Sequence, residues 1–107
     1  MKLRFIAKTI PEKIKGLQGS KPLKEDEGAL FVYDKEEILE YWNVGVDYPI
    51  DIGFFDKDKN LVSWETMQAN QSKTVRSKKP AKYVLEVKEG FFNQKNIKNL
   101  NEIINYE

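Results

Sequence analysis

The residues best equipped for chemistry gather after one tryptophan. Trp42 is followed directly by Asn43, and Tyr48 and Asp51 come soon after. An indole offers a stacking face, and a carboxylate and a carboxamide bind hydroxyl or amide groups. Together the four can line a pocket for a small polar ligand. Asp51 stands between Ile50 and Ile52, in a segment that otherwise reads as buried. A carboxylate taken out of water is costly unless it is paired or hydrogen-bonded. The competing role is structural and carries more weight: Asp51 accepts N–H groups from the 43–47 loop, and Trp42 packs in the core. Glu86, between Leu85 and Val87, raises the same question, with a nearby Lys or Arg as its expected partner. Glu12 follows Pro11 and joins the ligand-binding candidates. It can act as an acid or base beside Asp51, or serve as a first-turn glutamate favoured by the helix dipole, which is the preferred role.

Composition removes many chemistries. The chain of 107 residues has no Cys and no His. Thiolate catalysis, Ser-His-Asp triads and His- or Cys-ligated zinc are therefore excluded. No metal or other cofactor is expected. The 18 basic and 17 acidic residues leave a net charge of +1. Such a balance gives no strong field toward nucleic acid or anionic membranes. The N-terminus, Met1 to Thr9, carries charges every few residues and has no apolar stretch of ~7–15 residues, as a signal peptide would. No apolar run approaches the ~20 residues of a membrane span. The expected location is the cytoplasm. Richness in Lys, Asn and Ile suggests an AT-rich genome, with a virus as the candidate source and the host cytoplasm as the location in that case.

Three weaker patterns fail on inspection. Asp56 to Asn60 resembles the start of a calcium loop, but Leu61 and Met67 occupy the positions that need Gly and Glu. Gly16 to Lys21 lacks the spacing of a phosphate loop. The basic run Lys73, Arg76, Lys78, Lys79 and Lys82 has only Tyr83 as a neighbouring aromatic, and a solvated face explains it better than a nucleic-acid patch.

The elements that must position these residues are mostly strands. Leu3–Thr9 alternates apolar and charged residues. Pro11 can open a short helical turn over Glu12–Leu17, closed by Gly16 and Gly19. Further strands are expected over 29–33, 38–42, 49–55, 61–67 and 81–87, with a short edge strand near Thr74-Val75 and a solvated turn over Asp34–Glu37. The tail from Asn93 to Glu107 fits a helical stripe and a turn-plus-strand equally well. No repeat, low-complexity segment or linker interrupts the chain. One domain over residues 1–107 is expected, mainly β, a barrel-like or jelly-roll-like sandwich with one or two short helices.

Three blocks of residues carry a family resemblance. The first is Ala7-x-Thr9-x-x-Glu12-x-x-x-Gly16-Leu17, then Leu23 and Gly28-Ala29-Leu30-Phe31-Val32. The second is Tyr41-Trp42, then Pro49-Ile50-Asp51-Ile52-Gly53-Phe54. The third is Lys78-Lys79-Pro80-Ala81-Lys82-Tyr83-Val84-Leu85-Glu86-Val87, then Gly90. In order and spacing they resemble the DUF192 family, a domain of unknown function in small bacterial, archaeal and viral proteins. The resemblance implies a compact β domain and no particular reaction. The chain departs from the family pattern at Lys13 (Arg in the pattern), Gln18 (Met) and Asn43-Val44-Gly45-Val46 (Met-Lys-Asn-Thr).

These readings favour a non-enzymatic module that binds a small polar ligand, a sugar or metabolite, beside Trp42 and Asp51. An accessory protein-interaction domain is the alternative, which the altered 43–46 loop makes more attractive. A hydrolase using Glu12 and Asp51 ranks last.

Overall fold

The structure is a computed structural model and describes residues 1–106. Glu107, the end of the expected domain and of the ambiguous tail, lies outside the described residues. The strands are β1 (Lys2–Ala7), β2 (Glu27–Glu37), β3 (Glu40–Tyr41), β4 (Ile50–Phe55), β5 (Leu61–Met67), β6 (Val75–Arg76) and β7 (Ala81–Lys88). The helices are α1 (Ile10–Lys15) and α2 (Phe91–Gln94), and a 3-10 turn spans Leu100–Glu102. The fold is mainly β with short helices, as expected, and its sheets are not closed into a barrel.

Strand alternation sends successive side chains to opposite faces. In β7, Tyr83, Leu85 and Val87 pack with Leu30, Phe55, Phe92 and Leu100, while Val84 packs with Phe31, Ile52 and Phe54. β7 can hold apolar residues on both faces because it is the middle strand of the order β1-β2-β7-β4-β5. It pairs antiparallel with β2 and β4, and β1 pairs parallel with β2 across a connection that carries α1. β3 and β6 form a separate two-stranded ribbon.

The two faces are covered differently. On one, Gly90 opens α2 and the tail follows it, bringing Phe92, Ile97, Leu100 and Ile104 down on the sheet. The tail, which fits a helix and a strand equally well by sequence, forms a single bridge from Asn99 to Asn60 and a 3-10 turn capped by Asn99, whose side chain accepts from the Asn101 N–H at 2.9 Å. On the other face, α1 starts at Thr9 in a capping box. Thr9 Oγ1 accepts from the Glu12 N–H at 3.3 Å, and the Glu12 carboxylate accepts from the Thr9 and Lys8 N–H groups at 2.9 and 3.0 Å. α1 buries none of its own residues, and Ile10 and Ile14 stay exposed.

Two strand boundaries differ from expectation. Asp34–Glu37 continues β2 instead of turning, and Glu37 pairs with Ala81 after a register shift. Its charges are solvated at a strand end that runs past the core, so charge there did not mark a turn. The strand expected over 38–42 shrinks to Glu40–Tyr41, which pairs only with Val75 and Arg76. No helix among the described residues is long and apolar enough to cross a membrane.

Gly53 is required by packing. A Cβ there would lie 2.4 Å from Cζ of Phe92, whose ring stacks on Trp64 at 5.6 Å between centroids. Gly53→Ala is expected to displace Phe92 and to cost about 1–3 kcal/mol. Urea unfolding measures this, and a wild-type midpoint would refute the close packing.

Candidate functional site

Glu86 lies midway along β7, opposite Ala29 of β2 and Ile52 of β4. Alternation turns its side chain toward the face that α1 covers only loosely. The residue is 4% exposed. Among the described residues its carboxyl makes no hydrogen bond and no ion pair, so the expected Lys or Arg partner is absent; none of their fully buried side-chain oxygens or nitrogens lacks a partner, so the Glu86 oxygens open onto the cleft. Burial pushes its carboxyl up to about 8, so the folded protein holds it protonated at neutral pH.

An open cleft of about 390 Å³ lies over this carboxyl. Its aromatic walls are Phe31, Tyr33, Tyr41 and Trp42. The Tyr33 and Tyr41 hydroxyls are 2.7 Å apart and share a hydrogen bond. Both phenols are shifted upward, chiefly by burial, with the Glu86 charge adding to the shift. Phe31 meets Tyr41 edge-on at 5.3 Å between centroids. At the mouth, Lys13 Nζ sits 3.7 Å from the centre of the Tyr33 ring. Glu40 also lines the cleft, but Arg76 Nε lies 3.6 Å from it and the Thr74 hydroxyl donates to it at 3.2 Å. Among the described residues no three acidic side chains converge to hold a metal ion.

A second cleft, of about 580 Å³, is larger. It lies among Met1, Glu25, Lys88, Glu89 and α2, and its charged groups are surface ones. Of these two clefts, only the one over Glu86 has, among the described residues, a buried carboxyl without a protein partner, and that makes it the candidate site.

The residues singled out from sequence fall in four places. Trp42, 54% exposed, and Asn43 line the cleft. Asn43 is buried, and its Nδ2 donates to the Tyr48 and Gln68 carbonyls at 3.0 Å each, which fixes the loop after Trp42. Tyr48 lies apart, beside Pro22 and Leu23, and its hydroxyl donates to the Lys21 carbonyl at 3.2 Å. Asp51 is on the opposite face of the sheet. It accepts from Thr66 Oγ1 at 2.8 Å and from the N–H groups of Gly90 and Phe92 at 3.1 and 3.3 Å. It thus holds the start of α2 and not the 43–47 loop. Glu12 is exposed at the α1 cap, where the Thr9 and Lys8 N–H groups hold its carboxyl below the usual range. Tyr33, Tyr41 and Lys13 were not singled out. Tyr41 precedes Trp42, and nothing local marks Tyr33 as its partner.

The departures from the family pattern surround the same cleft. Lys13, Gln18, Asn43, Val44 and Val46 all line it. Gly45 has a φ of +84°, and a Cβ there would lie 3.0 Å from Gln18 Cγ.

Comparison with known proteins agrees with this fold. The DUF192 family model, described as an uncharacterised ACR, matches residues 4–104. A crystal structure of a candidate transcription regulator from Sinorhizobium meliloti is similar at a TM-score of 0.82 and 21% identity, covering 88% of this chain and 74% of that one. A protein of unknown function from Novosphingobium aromaticivorans is similar at 0.83 and 24% identity, covering 91% and 71%. At these identities the likeness establishes fold alone. No curated protein matches the chain significantly.

Glu86 and Asp51 should respond oppositely to replacement by the amide. Between about pH 4.5 and 8 the unfolded chain ionises Glu86 while the folded protein keeps it protonated. The unfolded state therefore binds fewer protons, and this contribution to stability, complete below pH 4.5, is lost as pH rises to 8. Glu86→Gln is expected to remove that decline, so its melting temperature gains on wild type from pH 5 to 8. Parallel pH curves would refute a raised carboxyl. Glu12 and Glu27, both shifted downward, act below that window. Asp51→Asn strips the charge that gathers three donors. It is expected to cost about 2–4 kcal/mol in urea unfolding, and a loss under ~0.5 kcal/mol would contradict the role in α2.

Proposed function

The chain belongs to the DUF192 family, and we propose that it is a non-enzymatic module that binds a small polar ligand in the cleft over Glu86. One observation carries the reading. Glu86 is buried at the cleft floor with no protein partner. Polar groups taken out of bulk water are hydrogen-bonded as a rule, and a carboxyl without a protein partner whose oxygens open onto a cavity is a place where a ligand can supply the bond. The aromatic walls add stacking surface, and Trp42 stands at the entrance. A binding role fits better than hydrolysis, because the other carboxyls are committed elsewhere. Glu12 caps α1, Asp51 holds α2, and Glu40 pairs with Arg76.

The accessory-protein reading draws on a separate observation. Ile10 and Ile14 are 73% and 70% exposed, and Ile14 flanks the cleft beside Trp42. A protein partner could cover that rim, and the same experiment separates the two readings.

Sugars, nucleotides, amino acids and other small polar metabolites are titrated while tryptophan emission and melting temperature are followed. A ligand at 100 times its Kd stabilises by about 2.7 kcal/mol. The expected hit raises the melting temperature of wild type, fails to do so for Glu86→Gln, and loses its fluorescence signal in Trp42→Phe. Trp64 serves as an internal control, because it stacks on Phe92 on the other face. A panel that moves neither signal would reject the small-ligand reading and leave the exposed isoleucine rim as the surface to pursue.

A further inference from the structure

We propose that the cleft takes its ligand ammonium-first, pairing a single primary ammonium with Glu86 and laying the ligand body against Tyr33, Tyr41 and Trp42. This rests on the cleft being a ligand site, and it names the class of ligand. Three features of the geometry favour a cation over a hydroxyl compound.

The first is the floor. The carboxyl of Glu86 has no donor from the protein, and an ammonium brings three donors and the opposite charge. A hydroxyl would satisfy only part of that capacity. The second is the walls. Phe31, Tyr33, Tyr41 and Trp42 surround the approach to Glu86, and ring faces attract cations through their quadrupoles. The third is a cation already in place. Lys13 Nζ rests 3.7 Å from the centre of the Tyr33 ring, so one wall of this cleft is already a seat for an ammonium. Lys13 does not pair with Glu86, and its ammonium stays over the Tyr33 ring.

The charges around the cleft restrict the ligand further. α1 contributes Lys13 and Lys15, β2 contributes Tyr33, and β3 contributes Glu40 and Tyr41. Glu37 at the end of β2 and Tyr48 beyond the cleft wall are the other titratable groups coupled to this cluster. Glu40 is neutralised by Arg76. The mouth is therefore positive and the floor acidic. A second ammonium at the far end would meet Lys13 and Lys15, so the ligand carries one ammonium and a neutral or anionic far end. An amino acid or a short amino-carboxylate meets both conditions.

Binding an ammonium requires the charged form of Glu86, which the empty cleft keeps protonated at neutral pH. The proton leaves to solvent as the ligand enters. Affinity should then rise about tenfold per pH unit below pH 8 and level off above it.

The test uses a matched pair, 4-aminobutanoate and 4-hydroxybutanoate, titrated calorimetrically from pH 6 to 9 in two buffers of different ionisation heat. The expected result is at least tenfold tighter binding of the amine at pH 8, a rise in its affinity of about 50- to 100-fold between pH 6 and 8, and release of close to one proton at pH 6. Glu86→Gln should abolish the preference and the pH slope, while the wild-type pH profile tests the same point without a variant. Equal or tighter binding of the hydroxy acid, quenched through Trp42, would overturn the ammonium assignment and leave the polar-ligand reading standing. Amine binding that is flat with pH and unchanged in Glu86→Gln would overturn it too. Binding of neither compound would reject the assignment, and the broader panel then decides the polar-ligand reading separately.

Discussion

A five-stranded sheet with a fully interior middle strand has two apolar faces, and a chain of 107 residues must cover both. Burial of apolar surface is the main force available to it, with no disulfide or metal-binding cysteine to assist. The face that receives α2 and the tail is sealed by large side chains, Phe91, Phe92, Ile97, Leu100 and Ile104. The opposite face receives α1, which buries none of its own residues, together with loops around Leu17, Leu23 and Val46. The cleft is what this unequal covering leaves, and it lies over the centre of the sheet.

Two carboxylates make the inequality chemical. Asp51 and Glu86 have the same local pattern, an acid between two aliphatics in a buried strand. In the ladder Asp51 pairs with Val87 and Ile52 with Glu86. That offset of one residue sends the two acids to opposite faces. Asp51 meets the start of α2, where N–H groups await an acceptor, and becomes a structural tie. Glu86 meets the thinly covered face and finds no donor. Backbone donors hold Asp51 in place, while Glu86, which no protein donor reaches among the described residues, is driven by burial toward its neutral form.

This explains how far the sequence could be read. Alternation located β1 within two residues, because a half-buried strand writes its faces into period two, and apolar runs bounded by turn signals located β4, β5 and β7 within a residue. The same pattern marked Asp51 and Glu86 as buried acids in need of partners. It could not name the partners. Gly90 and Phe92 meet Asp51 across about 40 positions of chain, and such pairing follows from register and topology rather than from local residue type. The Tyr33–Tyr41 contact was hidden for a related reason. It depends on the bend from β2 into the β3–β6 ribbon, where Asp34–Glu37 read as a turn and proved to be strand. Trp42 and Asn43 line the cleft, yet the weightier expectation placed Trp42 in the core; the indole is 54% exposed, because burial at a strand end is set by what packs over it and not by residue type.

The departures from the family pattern point the same way. They fall at Lys13, at Gln18 and along Asn43–Val46, in two segments remote in sequence. The fold brings both segments to one wall of the cleft, and Gly45 touches Gln18 there. A lysine in place of arginine exchanges a planar fork for a point charge that can settle over the Tyr33 ring. A glycine at position 45, in a left-handed conformation, lets Gln18 approach the loop. These changes alter the shape and charge of the mouth. They leave Glu86 and the strand pairing beneath it untouched, since a strand in the middle of the sheet cannot shift without moving both neighbours. On the proposed reading, the floor sets which charge the cleft accepts, and the wall sets which molecule bearing it can enter.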